Sequence, residues 1–378
     1  MAQTSTMLQQ AISGAAFGAA LTLSGVWVPS VVLGQLKLDD FRMLRMFLTA
    51  SGTSILIFGL LSGRGLPKSS PRRPSPISGV LGSSGKYAGN IIGGLMQGLG
   101  MALAGACAST VLVQAGLGTY PGLYTISGAA AGGFLFIPIN SWIQKRNAAM
   151  KTKTMGFDQK EKAADPPKLT IYEQIGVSRS TCILAMEAAQ VVMIRGLALH
   201  KNGSTTTHAT DKAFIDPIVG GLLVGLAQTI ALSVRGSPLG VSNVFEEMGN
   251  ILWAGVDAVT SLRGINHRQP RKKLSVTGLA FAGGMVLAAA GITRFVLPAF
   301  KDPSTIAALV DRGRPRSLAK SPTALRAMVG GVLIGLGSRI SGGCTSGHGI
   351  SGLGLLSTSS LVTTTCMFGG GIVFAQLL

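Results

Sequence analysis

The chain has 378 residues, 47% of them hydrophobic and only 12% charged, with mean hydropathy +0.45. Soluble globular domains carry about 25% charged residues, so this composition excludes an ordinary water-soluble enzyme and indicates a polytopic membrane protein. The formal charge is +19, but its cations gather in stretches 63–74, 143–168, 261–273 and 301–320 between apolar segments, a pattern of membrane loops and not of one folded basic face for nucleic acid.

In chain order, MAQTSTMLQQ carries no charge before the first apolar run; it lacks the basic n-region of a cleaved signal peptide, and the first membrane helix is expected to direct insertion. Apolar stretches near 11–35, 43–62, 87–104, 122–142, 213–234, 275–299, 324–342 and 357–378 are long enough, alone or tilted, for a hydrocarbon core that needs about 20 helical residues. Segment 178–199 is amphipathic, with Arg179, Glu187 and Arg195, and fits either a span or a surface helix. Stretch 143–168 is polar, aperiodic and ends in Pro-Pro, so a flexible linker is expected. The predicted organisation is a first membrane half (1–142), a basic polar linker (143–176) and a second membrane half (177–378). Asn202-Gly203-Ser204 forms a sequon that would matter only in an extracellular loop of a eukaryotic protein.

The halves repeat. Residues 94–109 (GLMQGLGMALAGACAS) set over 331–346 (GVLIGLGSRISGGCTS) give seven identities in sixteen positions, among them Gly94/Gly331, Gly98/Gly335, Gly105/Gly342, Cys107/Cys344 and Ser109/Ser346. A weaker match pairs Gly14, Gly18, Ala20 and Thr22 with Gly221, Gly225, Ala227 and Thr229. Matching Gly-interrupted apolar segments in a duplicated membrane protein point to a transport site at the repeat interface, because irregular backbone at membrane depth survives only where protein or a water-filled cavity surrounds it. The predicted fold is an all-α integral membrane protein, an internally duplicated, pseudo-inverted bundle with broken or re-entrant half-helices.

GLGSRISGGCTSGHGISG (335–352) resembles the signature of the YeeE/YedE family of sulfur-transport membrane proteins, and the similarity extends to 94–109, to 221–249 and more loosely to 14–62. The resemblance implies an hourglass-shaped helical protein that passes thiosulfate inward, with thiols near the constriction at the positions of Cys107 and Cys344. It also implies a small cytosolic sulfur-carrier protein as a partner, and the cell membrane as the location. Bacterial members carry a further cysteine in a stretch resembling 24–34, which here reads SGVWVPSVVLG. Either two thiols suffice, or Ser24 or Ser30 replaces the third, or the substrate differs.

The expected substrate-contacting set is Cys107, Cys344, Arg339, Gly105, Gly343, Ser346 and His348. Thr345 or Ser346 is expected to cap a short half-helix whose N–H groups attract anions. Arg339, five residues before Cys344 and opposite Ala102 in the first copy, is expected to supply positive potential. A neutral thiol is a weak donor suited to a soft terminal sulfur. Arg235 is either a second cation of the path or an interfacial anchor, and Glu246 and Glu247 are read as capping or solvent-facing. Cys182 and Cys366 lie outside the repeated motif and read as small core hydrophobes. No CxxC spacing occurs, and His348 has no further His or carboxylate nearby to complete a metal set. No metal, cofactor or enzymatic activity is expected; the alternative is a membrane sulfurtransferase forming a cysteine persulfide, which requires an activated thiol beside a base.

Overall fold

The computed structural model describes residues 2–61, 70–80, 85–119, 121–155, 168–199, 214–262, 275–296 and 323–378. Among these the regular elements are helices, beside one antiparallel bridge between Thr170 and Ser357. The first half holds α1 (Ala2–Ser24), α2 (Pro29–Leu36), α3 (Arg42–Leu61), α4 (Ile77–Val80), α5 (Ala88–Ala104), α6 (Thr110–Gly116) and α7 (Gly122–Met155). Then come α8 (Ile171–Ile175) and α9 (Arg179–Leu199). The second half holds α10 (Pro217–Arg235), α11 (Ser242–Leu262), α12 (Thr277–Phe295), α13 (Ala324–Ile340), a π-helical turn (Ser346–Gly352) and α14 (Thr358–Leu377).

Among the described residues six helices, α3, α7, α9, α10, α12 and α14, are long and apolar enough to cross a membrane. The first predicted span instead divides into α1 and α2, bent by 73° at a break near Gly25, where φ is +71°. The predicted spans at 87–104 and 324–342 are helices of 17 residues, about 25 Å at 1.5 Å per residue, short of a hydrocarbon core. Both stop inside the molecule, and the chain continues through a break into a second short helical piece.

One expectation needs revision and one open reading is narrowed. The polar stretch from 143 is not all linker, because α7 continues to Met155; once nucleated, a helix propagates readily through Ala, Lys and Met. At 34 residues it is about 50 Å long and overhangs a hydrocarbon layer of about 30 Å. The reading of 178–199 left span and surface helix open, and α9 meets the length and hydropathy of a span. Only 11% of it is buried, and it leans on α3 through Gln190 Nε2 donating to Ser51 Oγ (3.3 Å) and Arg179 donating to the Phe58 carbonyl (3.1 Å).

The packing follows the small residues. α1 packs on α10 and α12, α10 on α1 and α3, α5 on α13 and α14, and α13 on α5 and α7. α6 lies against α7 and α12, the π-helical turn against α14 and α3. Exchanging α1 with α10, α3 with α12, α5 with α13, α6 with the π turn and α7 with α14 returns these same pairs. The contacts of matched glycines exchange likewise. A side chain at Gly94 or Gly98 would meet the backbone of α14, and one at Gly331 or Gly335 the backbone of α7. One at Gly100 would meet the Gly330 carbonyl at 2.6 Å, and one at Gly337 the Gly93 carbonyl at 2.9 Å. Small-xxx-small faces thus bring the helix backbones into contact where lipid supplies no hydrophobic drive for helix association.

A candidate anion path at the helix breaks

Each broken helix stops at a glycine that an L-residue would strain. Gly105 (φ +62°) caps α5, donating its N–H to the Met101 carbonyl, and Gly342 (φ +85°) follows the last turn of α13. These are matched positions of the repeat; a Cβ in the left-handed region costs about 1–2 kcal/mol. The freed peptide groups are satisfied by buried side-chain amides. Gln97 Nε2 donates to Ser341 Oγ (3.0 Å) and the Gly343 carbonyl (3.2 Å), and Asn90 Nδ2 to the Ser341 carbonyl (3.1 Å). Gln114 Nε2 donates to the carbonyls of Trp27 (2.7 Å) and Gly105 (3.2 Å). Gln228 Oε1 accepts from the Leu239 N–H (3.2 Å) and Ser351 Oγ (3.0 Å). Single amides therefore tie one break to another, meeting the requirement for satisfied backbone at membrane depth.

The two repeated cysteines lie in one central cluster with Trp27, Val28, Ala106 and Val241, at 3% exposure for Cys107 and 0% for Cys344. Cys107 Sγ accepts from the Thr110 N–H (3.5 Å) and Thr110 Oγ1 (3.4 Å). Cys344 Sγ accepts from the Val241 N–H (3.4 Å) and lies 3.3 Å from Ser346 Oγ. The breaks themselves touch: Ser109 Oγ donates to Ser346 Oγ at 3.0 Å. Cys182 belongs to a separate cluster with Ile55, Ile171 and Leu356.

The other predicted site residues fall into two groups. Gly105 and Gly343 lie on the breaks; a side chain at Gly105 would meet Pro29 Cβ at 3.0 Å, and one at Gly343 would meet His348 Cδ2 at 2.8 Å and Arg72 Nη1 at 2.9 Å. His348 is committed to packing. Its Nε2 faces the Ser341 carbonyl (3.2 Å), which can only accept, so Nε2 carries the proton and Nδ1 takes the Ser360 hydroxyl (2.9 Å). Among the described residues no three His, Cys, Asp or Glu gather as a metal site. Arg339 carries a compensated charge: it is ion-paired with Glu246, donates to Asn243 Oδ1 (2.9 Å) and stacks over Phe136 at 5.3 Å. Glu246 is thus not a solvent-facing group. Glu247 does cap, its carboxylate accepting the N–H groups of Gly278 (3.0 Å) and Leu279 (2.9 Å) at the start of α12.

The predicted capped half-helix takes another form. Residues 346–352 wind as a π-helical turn without a side-chain cap, a geometry frequent at functional sites. Thr345 Oγ1 instead reaches Met367 Sδ (3.4 Å). Of the two candidate replacements for a third thiol, Ser24 donates to its own helix at the Leu21 carbonyl (3.0 Å) and faces Gly220 of α10.

Sequence reasoning missed Gln97, Gln114, Gln228 and Arg72. The glutamines were visible as lone amides inside apolar runs, the signature of intramembrane polar function. Arg72 was hidden in a cation-rich stretch. Its Nη1 donates to the Gly342 carbonyl (2.8 Å), while its backbone is held by Ser357 Oγ (2.9 Å) and Ser359 Oγ (2.9 Å).

This is an all-α integral membrane protein whose irregular backbone is buried at the centre, a placement of broken helices that in membrane transporters accompanies a solute site. The sulphur transport family matches residues 23–373, and the chain belongs to that family. It is 25% identical over 378 residues to the thiosulfate transporter TsuA of Spirochaeta thermophila, covering 97% of both chains. It is 24% identical over 267 residues to TsuA of Escherichia coli K12, covering 70% of this chain and 67% of that one. A probable transporter of Xylella fastidiosa is 29% identical over 163 residues, which cover 43% of this chain but 93% of the relative.

Proposed function

We propose that the protein carries thiosulfate, or a closely related sulfur oxyanion, across the cell membrane by non-covalent handover between Cys344 and Cys107. The observation that carries this reading is the Ser109–Ser346 hydrogen bond, which joins the two cysteine-headed breaks. A dianion entering a low dielectric needs donors fixed in advance, because unpaired burial of charge is prohibitive. Each cysteine sulfur already accepts an amide hydrogen and has a hydroxyl beside it, which leaves its own S–H free to turn toward a guest. Protonated thiols avoid like-charge repulsion and suit a soft terminal sulfur, while Ser109, Ser346 and Thr110 offer hydroxyls to the oxygens. In this route the two repeated thiols act; Ser24 is engaged with its own helix at the Leu21 carbonyl, and Ser30 stays the candidate for a third contact.

The duplication belongs to the same proposal. The exchange of packing partners supports two pseudo-inverted copies, as does Ser109 meeting Ser346, its own counterpart in the repeat; a residue that touches its own equivalent lies at the local two-fold. The near-complete coverage of a half-length relative by 43% of this chain points the same way. A small cytosolic sulfur carrier receiving the product completes the scheme.

The test is uptake of radiolabelled thiosulfate into proteoliposomes. Cys344→Ala is expected to lower flux at least about tenfold, the loss of one charge-assisted contact; unchanged flux removes Cys344 from the path. Against the sulfurtransferase alternative stands His348, the base nearest Cys344 in sequence, both of whose ring nitrogens are engaged. A stable persulfide on Cys107 or Cys344 by mass spectrometry after thiosulfate exposure would decide for it.

A further inference from the structure

A polar cavity of about 240 Å³ opens beside the α10–α11 break, many times the roughly 30 Å³ of one water. Two guanidinium groups line it, Arg72 and Arg235. Arg235 donates to the Ser237 carbonyl (3.0 Å), Gln10 Oε1 (2.8 Å) and the Pro238 carbonyl, and its guanidinium stacks over Phe281 at 4.8 Å. The Arg72 guanidinium donates to the Gly342 carbonyl (2.8 Å). Among the described residues neither has a carboxylate partner, unlike Arg339 with Glu246. A guanidinium has five N–H donors, so 5 − 1 = 4 remain on Arg72 and 5 − 3 = 2 on Arg235. Two cations sharing a cavity without a counter-ion repel each other, an arrangement that a dianion relieves.

Arg72 extends from the cavity wall toward Cys344, which does not itself line the cavity. The position that a side chain at Gly347 would fill lies 3.1 Å from Arg72 Nη2 and 3.7 Å from Cys344 Sγ. Gly240, in the cavity wall, faces the Cα of Gly347 from the other side: its own missing Cβ would stand 3.6 Å from that atom and 3.8 Å from Arg72 Nη2. Guanidinium and sulfur therefore flank one space that glycine leaves open.

We propose that this cavity is a binding site for a tetrahedral sulfur oxyanion, with Arg72 and Arg235 holding the sulfonate oxygens and the Gly347 notch admitting the terminal sulfur to Cys344. Binding here stands on the cavity alone; only the onward step to Cys344 rests on the function proposed above. The site distinguishes the two ends of thiosulfate, hard oxygens on fixed cations and soft sulfur on a thiol, whereas sulfate engages the cations only.

The experiment measures dissociation constants for sodium thiosulfate and sodium sulfate on the detergent-solubilised full chain at constant ionic strength, beside proteoliposome uptake. Arg235→Gln and Arg72→Gln are each expected to weaken both anions about tenfold or more, the effect of removing one charged hydrogen-bond partner. Arg72→Lys should recover part of the loss. Gly347→Ala should weaken thiosulfate more than sulfate. No measurable binding to the intact protein, or wild-type affinity in Arg235→Gln and in Arg72→Lys or Arg72→Gln variants of native helicity, overturns the inference. Should Arg72→Gln fail to fold, Arg235→Gln and Gly347→Ala still decide it. Full flux in Cys344→Ala together with lost binding in the arginine variants would sink the path and leave the cavity site standing.

Discussion

Arg339 and Glu246 form an ion pair whose side chains are each 17% exposed, in a setting where removing one partner strands the other charge. A double-mutant cycle of Arg339→Gln and Glu246→Gln, read by unfolding in detergent, is expected to give a coupling of about 1–3 kcal/mol, with thiosulfate affinity unchanged because the charge is already compensated. A large loss of affinity in Arg339→Gln would restore that residue to the substrate. That Cys107, Cys344, Gly105 and Ser346 fall at the helix breaks was legible because the sequence match writes each position or its equivalent twice. The role of Arg339 was not, because its partner comes from α11, where Glu246 stands 93 residues earlier in the chain. Arg72 was illegible for the opposite reason: loop cations are common, and nothing in SGRGLPKSSPRR marks the one that folds back to Gly342.

Helices meet here through glycine faces, and the repeat makes those faces comparable. Gly98→Val drives a side chain into the backbone of α14, and Gly335→Val into that of α7; both are expected to lower stability by about 1–3 kcal/mol or more, by similar amounts. Thermal unfolding in detergent checks it, and a strong loss in one with none in the other counts against equivalent halves. The short α8 docks by a different device. The Glu173 carboxylate accepts the N–H groups of Thr170 (3.0 Å) and Leu169 (3.0 Å) in a capping box, and its bonds to Thr170 hold it below the usual carboxylate range. A depressed carboxylate supports its fold above the unfolded value and loses that support as pH falls through the folded one. Amide protection at 169–171 is therefore expected to fall below about pH 4, while Glu173→Gln shows no such step; hydrogen exchange reads it. Element positions were legible where apolar runs were uninterrupted. α11 escaped because Glu246, Glu247 and Asp257 make it polar, though the two glutamates are used up in partners on α13 and α12.

Across the whole molecule the two breaks act as one object. Ser109→Cys together with Ser346→Cys is expected to form a disulfide under mild oxidant, since the hydroxyl oxygens already lie 3.0 Å apart, and to stop thiosulfate uptake until a reductant is added. Mass mapping of the bridge and flux before and after reduction check it; a bridged protein that still transports would place the path elsewhere. The meeting of the two breaks was an expectation of the sequence match, but the Ser109–Ser346 pair through which they touch was not legible, because a sequence match gives equivalence without contacts.

α9 has a further consequence. Among the described helices both long and apolar enough to span, it is the one left without a counterpart when the halves are exchanged, and it stands at the rim with little of its surface covered. Two copies that each cross the bilayer an even number of times would begin on the same side and point the same way. On the duplicated reading proposed above, one additional crossing by this lone rim helix would change the parity and leave the second copy upside down relative to the first.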